Sequence, residues 1–517
     1  MVWLAGLLAA LACAFAAGEA RAAGRVLVLS AADETAYRAA FDATDARDWA
    51  AADAALAQTH DGVLVGAVLA RRYLSGAYRP DYGDLADWLA RENDSAFADR
   101  VYARAMALRP RSARAPTPPV PAGRRPIPLA GSAPPGDSAA ARQRLEEAAQ
   151  LAAAGDAEGA VAAAREAADG PRAGQAEFLL GVLAFRARAY AQAAAHFDAA
   201  VAWRHWDALG AAGARYWAGR AHLAAGDARG ALTRFKAALA YPATFYGQLA
   251  EAQLGVGSGL DFTPPTIGPE EALDFMRRHR EARRAAALAQ VGRLSDVENE
   301  LRLLHTRLKP EEDRVFLDFA DALSAPSAQL RAAEFGSARE GWGYCPTTTF
   351  APENGWRMDR AAVFAIARQE SRYSPIAVST SNARGLMQLL PSTASDMDPG
   401  KPFRARPDLL NEPGLNLRLG QAYLEFLFRQ AAPDGDLVKL FAAYNGGPGW
   451  LSRWLAANPD LKDPLLILEL LPRAESRDYA ERVLANMALC RKRFGQEAVE
   501  FDELASGKAA KYLRQDR

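Results

Sequence analysis

At a step of 38 residues the sequence repeats small and aromatic positions: Gly181 and Gly219, Phe197 and Phe235, Ala200 and Ala238. The turn Gly226-Asp227-Ala228-Arg229-Gly230 echoes Gly155-Asp156-Ala157-Glu158-Gly159. A period in the thirties with small residues at fixed offsets predicts paired helices stacked as a tetratricopeptide-like solenoid, since one pair alone cannot bury its apolar face. The upstream text agrees. From Thr35 to Leu108, apolar residues recur at helical steps among Ala, Leu and Arg, which are good helix formers. Alternating β-branched runs are scarce, and Arg25–Leu29 is the best short candidate for a strand. The expected class is all-α.

The run Val2–Ala17 is apolar apart from Gly6 and leads into Ala20-Arg21-Ala22-Ala23. Such a core ending in A-x-A predicts a secretory signal peptide over residues 1–22 and export to the periplasm. It is short for a membrane span, which needs ~20 apolar residues. No other stretch is long and apolar enough for an integral span. Cys13 lacks a branched apolar residue three positions before it, so lipid anchoring there is not expected. A helical domain is expected over 23–114 and a Pro-rich linker over 115–137. A superhelical repeat domain follows over 138–336, then a compact domain over 345–500 and a charged tail over 501–517.

Lys+Arg and Asp+Glu both number 62, so the net charge is zero and nothing supports whole-protein attraction to nucleic acid. Three cysteines exclude a disulfide scaffold and a zinc ribbon. Export leaves Cys345 and Cys490, which an oxidising compartment permits to bridge and which burial leaves equally at home as inert thiols. The six histidines are scattered without HExxH spacing, so no metal site and no cofactor are expected. The basic cluster from Arg277 to Arg284 reads as a solvated helix face, and Trp450 and Trp454 at helical spacing read as core.

The chemistry concentrates between Trp356 and Val483. Asp359–Glu370 is an amphipathic helix ending in an acid. The negative end of the helix dipole and partial burial both act against the carboxylate of Glu370, raising its pKa so that it can donate a proton near neutrality. Between Glu370 and Gln388 there is no second acid, and the catalytic segment holds no His. One acid without a partner suits a reaction whose nucleophile comes from the substrate itself.

Four ordered blocks carry a resemblance: Arg368-Gln369-Glu370-Ser371; Gly385-Leu386-Met387-Gln388 with Pro391 and Thr393-Ala394; Ala443-Tyr444-Asn445-Gly446-Gly447-Pro448-Gly449; and Glu475-Ser476-Arg477-Asp478-Tyr479. Together they resemble the soluble lytic transglycosylases, whose catalytic domain has a goose-lysozyme-like fold. Ala214–Ala221 and Tyr241–Ala250 resemble the helical region that precedes that domain in the family. The resemblance implies that Glu370 is the single acid/base. It implies that Ser371, Met387 and Gln388 line the sugar cleft, and that Ser379 gives a polar contact to the N-acetyl region. Tyr444 and Asn445 would stand across the site, with Glu475 supporting it and Tyr444.

The implied reaction cleaves the β-1,4 bond between N-acetylmuramic acid and N-acetylglucosamine and leaves a 1,6-anhydromuramyl end. The implied partner is the peptidoglycan glycan strand, with the solenoid free to position it or to recruit cell-wall proteins. Three positions depart from the family pattern: Gly446 stands where Ala is common, Asn382 where Gly is usual, and Ala480 where a β-branched residue is usual. Asn tolerates positive φ, so the turn at Asn382 is expected to survive. Two rival readings are a hydrolytic muramidase, which needs a second carboxylate, and a non-catalytic glycan-binding scaffold.

Overall fold

The computed structural model of the chain describes residues 27–123, 131–335 and 341–516. The expected signal peptide, the first half of the candidate strand and the middle of the Pro-rich linker lie outside the described residues. Every helix or strand assignment among those residues is helical, apart from three isolated β-bridges. No helix among them is long and apolar enough to cross a membrane. The candidate strand does not form: Val28 and Leu29 instead give their backbone N–H groups to the Gln290 side chain.

The chain divides into two compact units, Met1–Pro126 with Pro264–Ser337 and Pro346–Thr349, and Ile127–Thr263 with Ala338–Cys345 and Phe350–Arg517. The stretch 138–336, expected as one helical domain, contributes to both. In the first unit the basic cluster is a solvated face over Arg277, Arg278, Arg280 and Arg283, whose side chains are 43–64% exposed, but not at its last member. Arg284 has only 4% of its side chain exposed and lies 3.0 Å from both Glu300 and Asp94. Arg278 pairs with Asp274 at 2.8 Å. Burial of a cation requires such partners, and Asp94 and Glu300 supply them for Arg284.

The second unit begins with seven helices: Ala139–Ala154 (α1), Ala157–Ala168 (α2), Ala173–Arg186 (α3), Tyr190–Ala202 (α4), Ala208–Ala224 (α5), Ala228–Ala238 (α6) and Phe245–Leu254 (α7). Their repeat has a steric cause. A Cβ at Gly181 would stand 2.7 Å from the ring of Phe197, and one at Gly219 2.6 Å from the ring of Phe235. Each glycine on one helix receives the phenylalanine of the next. The turns repeat for a backbone reason. Gly155 and Gly226 end α1 and α5 in the left-handed region, with φ 87° and 86°. Asp156 and Asp227 then cap α2 and α6 by accepting from Gly159 and Gly230 at 2.9 Å.

The same unit continues with Arg360–Ser371 (α8), Pro391–Met397 (α9), Pro413–Gln430 (α10), Leu437–Gly446 (α11), Pro448–Ala457 (α12), Pro464–Glu469 (α13), Ala474–Arg493 (α14) and Val499–Ala505 (α15). Helix α8 runs through the core, with Ala361–Ala367 buried all round, and packs on α14. Cys345 and Cys490 are joined in a disulfide that ties the segment before α8 to α14. The two groups of helices share polar and apolar contacts. Phe245 meets Phe501 edge to face at 5.5 Å, and Arg220 pairs with Asp463 at 2.6 Å. Trp454 is buried and donates to the Ala153 carbonyl at 2.8 Å.

Candidate active site

Glu370 is the penultimate residue of α8. Arg372 and Tyr373 follow in the left-handed region at φ 51° and 65°. Two successive side-chain-bearing residues there are unfavourable, and such backbone persists only where surrounding packing dictates it. Tyr373 is buried, which supplies that packing. The helix therefore stops abruptly after its acid. Ser371 turns inward and donates to the carbonyls of Ala367 at 3.0 Å and Leu386 at 2.8 Å, joining α8 to the loop that follows.

That loop, residues 374–390, is held by the bridges Val378–Arg384 and Arg384–Leu389. Asn382 takes φ 62°, so the turn survives the departure from glycine. Ser379 is exposed and its hydroxyl accepts from the Ala383 N–H at 3.0 Å. Gly385, at φ 76°, has no room for a side chain: a Cβ would stand 2.3 Å from Asn416 and from the Leu410 carbonyl. Gln388 has φ 46° and donates to the carbonyls of Ala377 at 3.0 Å and Gly385 at 2.9 Å. Met387 is buried, and its sulfur occupies the space a side chain at Gly420 of α10 would need.

Buried Asn416 of α10 fixes this loop from behind. Its Oδ1 accepts from Met387 N at 2.8 Å, and its Nδ2 donates to the carbonyls of Arg384 and Leu410 at 2.9 Å each. A buried amide with all these bonds made is a rigid support.

Across from the loop, Tyr444 at the end of α11 donates to the Met387 carbonyl at 2.9 Å. Its ring stacks on Tyr479 of α14, with centroids 6.1 Å apart and planes 7° from parallel. Tyr479 in turn donates to Glu370 Oε1 at 2.7 Å. Asn445 donates to Glu475 at 3.4 Å and accepts from Ser476 at 2.7 Å. The partner found for Glu475 is thus Asn445, and the residue supporting Tyr444 is Tyr479. Gly446 is explained by its neighbour: a Cβ there would lie 2.2 Å from the indole nitrogen of Trp450 and 2.8 Å from the Ser476 hydroxyl. Arg473 covers that indole at 4.9 Å and donates to the Gly446 carbonyl at 2.9 Å.

Electrostatically the site protects a proton. Burial, aided by the charge of Glu475, pushes the Glu370 carboxyl up to about 7, against the lowering effect of the Tyr479 hydrogen bond. The Tyr444 and Tyr479 hydroxyls are held well above their usual range, first by burial and then by the Glu370 charge, so both stay neutral donors. Glu475 itself is exposed. No cluster of three or more metal-ligating side chains occurs among the described residues.

The structure therefore gathers Glu370, Ser371, Met387, Gln388, Tyr444, Asn445 and Glu475 around the end of α8, with Ser379 on the same loop as Gln388. Sequence reasoning assigned no role to Tyr479, although it ends the fourth block, or to Asn416, which stands among other polar residues of α10 with nothing to mark it.

Residues 348–467 match the family model of the transglycosylase SLT domain. The soluble lytic murein transglycosylase of Salmonella typhimurium is 34% identical over 145 residues, which are 28% of this chain and 22% of that protein. Its counterpart in Escherichia coli K12 is 33% identical over 146 residues, with the same shares. The chain thus spans about a fifth of the length of these curated relatives. Among solved structures, the 70 kDa soluble lytic transglycosylase of Escherichia coli aligns with TM-score 0.56 at 15% identity, covering 93% of this chain and 99% of that one. An inactive glutamate-to-glutamine mutant of lytic transglycosylase Slt from Pseudomonas aeruginosa aligns with TM-score 0.54 at 21% identity, covering 90% and 74%. These likenesses show the fold: all-α, with a helical N-terminal region and a lysozyme-like domain.

Proposed function

We propose that this chain, which carries a transglycosylase SLT domain over residues 348–467, is an exported peptidoglycan lytic transglycosylase with Glu370 as its single acid/base. The observation that carries this reading is a carboxyl at the end of a buried helix, held near pKa 7 and gripped by one neutral phenol. A group so poised is protonated often enough to act as an acid and ionised easily enough to act next as a base.

Glu370 gives its proton to the oxygen bridging N-acetylmuramic acid and N-acetylglucosamine as the C1–O bond breaks. The substrate's N-acetyl oxygen steadies the positive anomeric carbon. Glu370, now a carboxylate, takes the proton from the muramyl C6 hydroxyl, whose oxygen closes on C1. The products are a free N-acetylglucosamine hydroxyl and a 1,6-anhydromuramyl end, and water is not consumed. Ser379 and Gln388 on the loop, and Tyr444 and Asn445 opposite, orient the sugar; Ser371, Met387 and Glu475 hold those walls. No cofactor enters the scheme. The inactivity of the glutamine mutant named for the Pseudomonas aeruginosa protein supports a glutamate as the essential group.

The test is the mass spectrum of muropeptides released from purified sacculi. Ends one water lighter than reducing ends, absent with Glu370→Gln, support the reading. Reducing ends would make the protein a hydrolase, with Glu475 the first acid to examine as base. Binding without release would leave a glycan-gripping scaffold.

A further inference from the structure

The second unit contains a cavity of about 540 Å³ between α14 and the helices α1, α3 and α5. Sites for small ligands span roughly 300–1,000 Å³. One wall is aromatic. Trp203 and Trp206 meet edge to face with centroids 4.9 Å apart, and Phe178 lies 6.2 Å from Trp206. All three are only partly buried.

Both indoles are fixed from behind. A Cβ on Gly174 would stand 2.4 Å from Trp203, and one on Gly210 2.2 Å from the Trp206 ring. Trp206 also donates its indole N–H to the Ala200 carbonyl at 2.8 Å. These glycines accept the rings face on, so the wall is rigid before any ligand arrives.

The facing wall is ionic and comes from α14. Arg477 and Arg482 line it with Asp478 and Glu481. Arg477 Nε reaches Asp478 at 3.4 Å, a long bond, and 28% of its side chain is accessible. Arg477 also stands among the carboxyls of Glu469 and Glu481, which face its charge, so the exposed guanidinium of Arg482, a planar fork of five donors, is the one placed to meet a ligand's carboxylate. At 3.6 residues per turn, Arg477 and Glu481 leave α14 on the side opposite Glu475 and Tyr479.

We infer that the cavity is a second saccharide site, taking a carboxylate-bearing aminosugar fragment of one or two rings. Its indole faces cover the C–H side of a sugar ring, and the guanidinium group of Arg482 meets the carboxylate. The proposed function enters only as the source of such fragments, since cleaved glycan strands release them.

The probe is the disaccharide N-acetylglucosaminyl-N-acetylmuramic acid, titrated calorimetrically into full-length Glu370→Gln protein. Neutral N,N′-diacetylchitobiose is the control. The expected stoichiometry for the acid is two per chain, falling to one when Trp206→Ala or Gly210→Ala is added. Gly210→Ala deletes no ring and acts by setting a methyl against the Trp206 indole at the cavity wall. Arg482 is exposed, so Arg482→Ala leaves folding intact; it should weaken the second equivalent at least tenfold for the acid and leave chitobiose binding unchanged.

A single equivalent in the parent protein that survives Trp206→Ala and Gly210→Ala overturns the site, whereas a single equivalent lost in both leaves it standing. Two equivalents that survive both Trp206→Ala and Gly210→Ala, or an Arg482→Ala variant that binds the acid unchanged, also overturn it. Equal affinity for chitobiose overturns the ligand class. Sacculus turnover by the wild-type chain is read separately: its absence with a second equivalent present sinks the proposed function and leaves the site standing.

Discussion

Replacing Glu370 by Gln should stabilise the protein at alkaline pH while it abolishes turnover. The folded carboxyl titrates at about 7 against an ordinary 4.5, chiefly because ionising it inside the site forfeits hydration. Between those values the folded state binds more protons than the unfolded state, so stability falls as pH rises through the window. Integrated at ~1.4 kcal/mol per pH unit, the cost is under about 1 kcal/mol at pH 5 and reaches about 3 kcal/mol at pH 8. Glutamine accepts the same Tyr479 hydrogen bond without the charge. Urea unfolding of both proteins at pH 5 and pH 8, followed by tryptophan fluorescence, should show Glu370→Gln ahead by about 3 kcal/mol only at the higher pH. Equal stabilities at both would refute the claim that this site holds a desolvated acid. The same carboxyl governs the alkaline limb of kcat/KM, because bond cleavage needs its protonated form. Glu475→Gln removes a charge that raises the pKa and should move that limb to lower pH. Tyr479→Phe removes a bond that lowers it and should move the limb to higher pH.

Gly446→Ala should lower kcat/KM by up to about a hundredfold, the cost of misplacing a site group by about 1 Å. The added methyl would contend with Trp450 and Ser476, and Trp450→Leu in the same chain should restore much of the rate. Phe197→Ala should cost about 3–5 kcal/mol in denaturant unfolding, because the ring fills the space over Gly181. Gly181→Ala should also destabilise, with no atom lost. Reduction of the Cys345–Cys490 bond, which spans a separation of 145 residues, should lower stability by up to about 5 kcal/mol on the chain-entropy estimate. Unfolding with and without reductant at fixed pH measures it.

Much of this was legible in the text because local rules and tertiary packing agree. The 38-residue echo encodes a glycine under a phenylalanine, so both partners of the contact are visible in sequence. The Asp caps and left-handed glycines of the turns are equally local. Glu370 ends an amphipathic helix, which alone marks nothing; the blocks that follow it single it out. Charge was harder. Arg284 looks like any surface arginine, because the acids that pair with it, Asp94 and Glu300, come from distant segments. Tyr479 was quoted as part of a block, but its bond to Glu370 spans 109 residues and follows only once α14 packs on α8. Asn416 gave no warning, since an amide reads the same whether it faces water or braces a loop. The disulfide was one of two balanced options until the fold set the two thiols side by side. Gly446 read as a mild departure until Trp450 was seen occupying the vacated volume.

Glu469, at the end of α13, accepts hydrogen bonds from Trp217 of α5 at 2.9 Å and from the Tyr246 hydroxyl of α7. Its cation, Arg477, is close by on α14, but both of these hydrogen-bond donors lie more than two hundred residues upstream. A gene segment cut at Trp356 and grafted elsewhere would carry the carboxylate but leave its donors behind. The natural unit of exchange is therefore α1–α7 together with α8–α15, and a recombinant fragment limited to the family-matching segment should aggregate where the intact chain stays in solution.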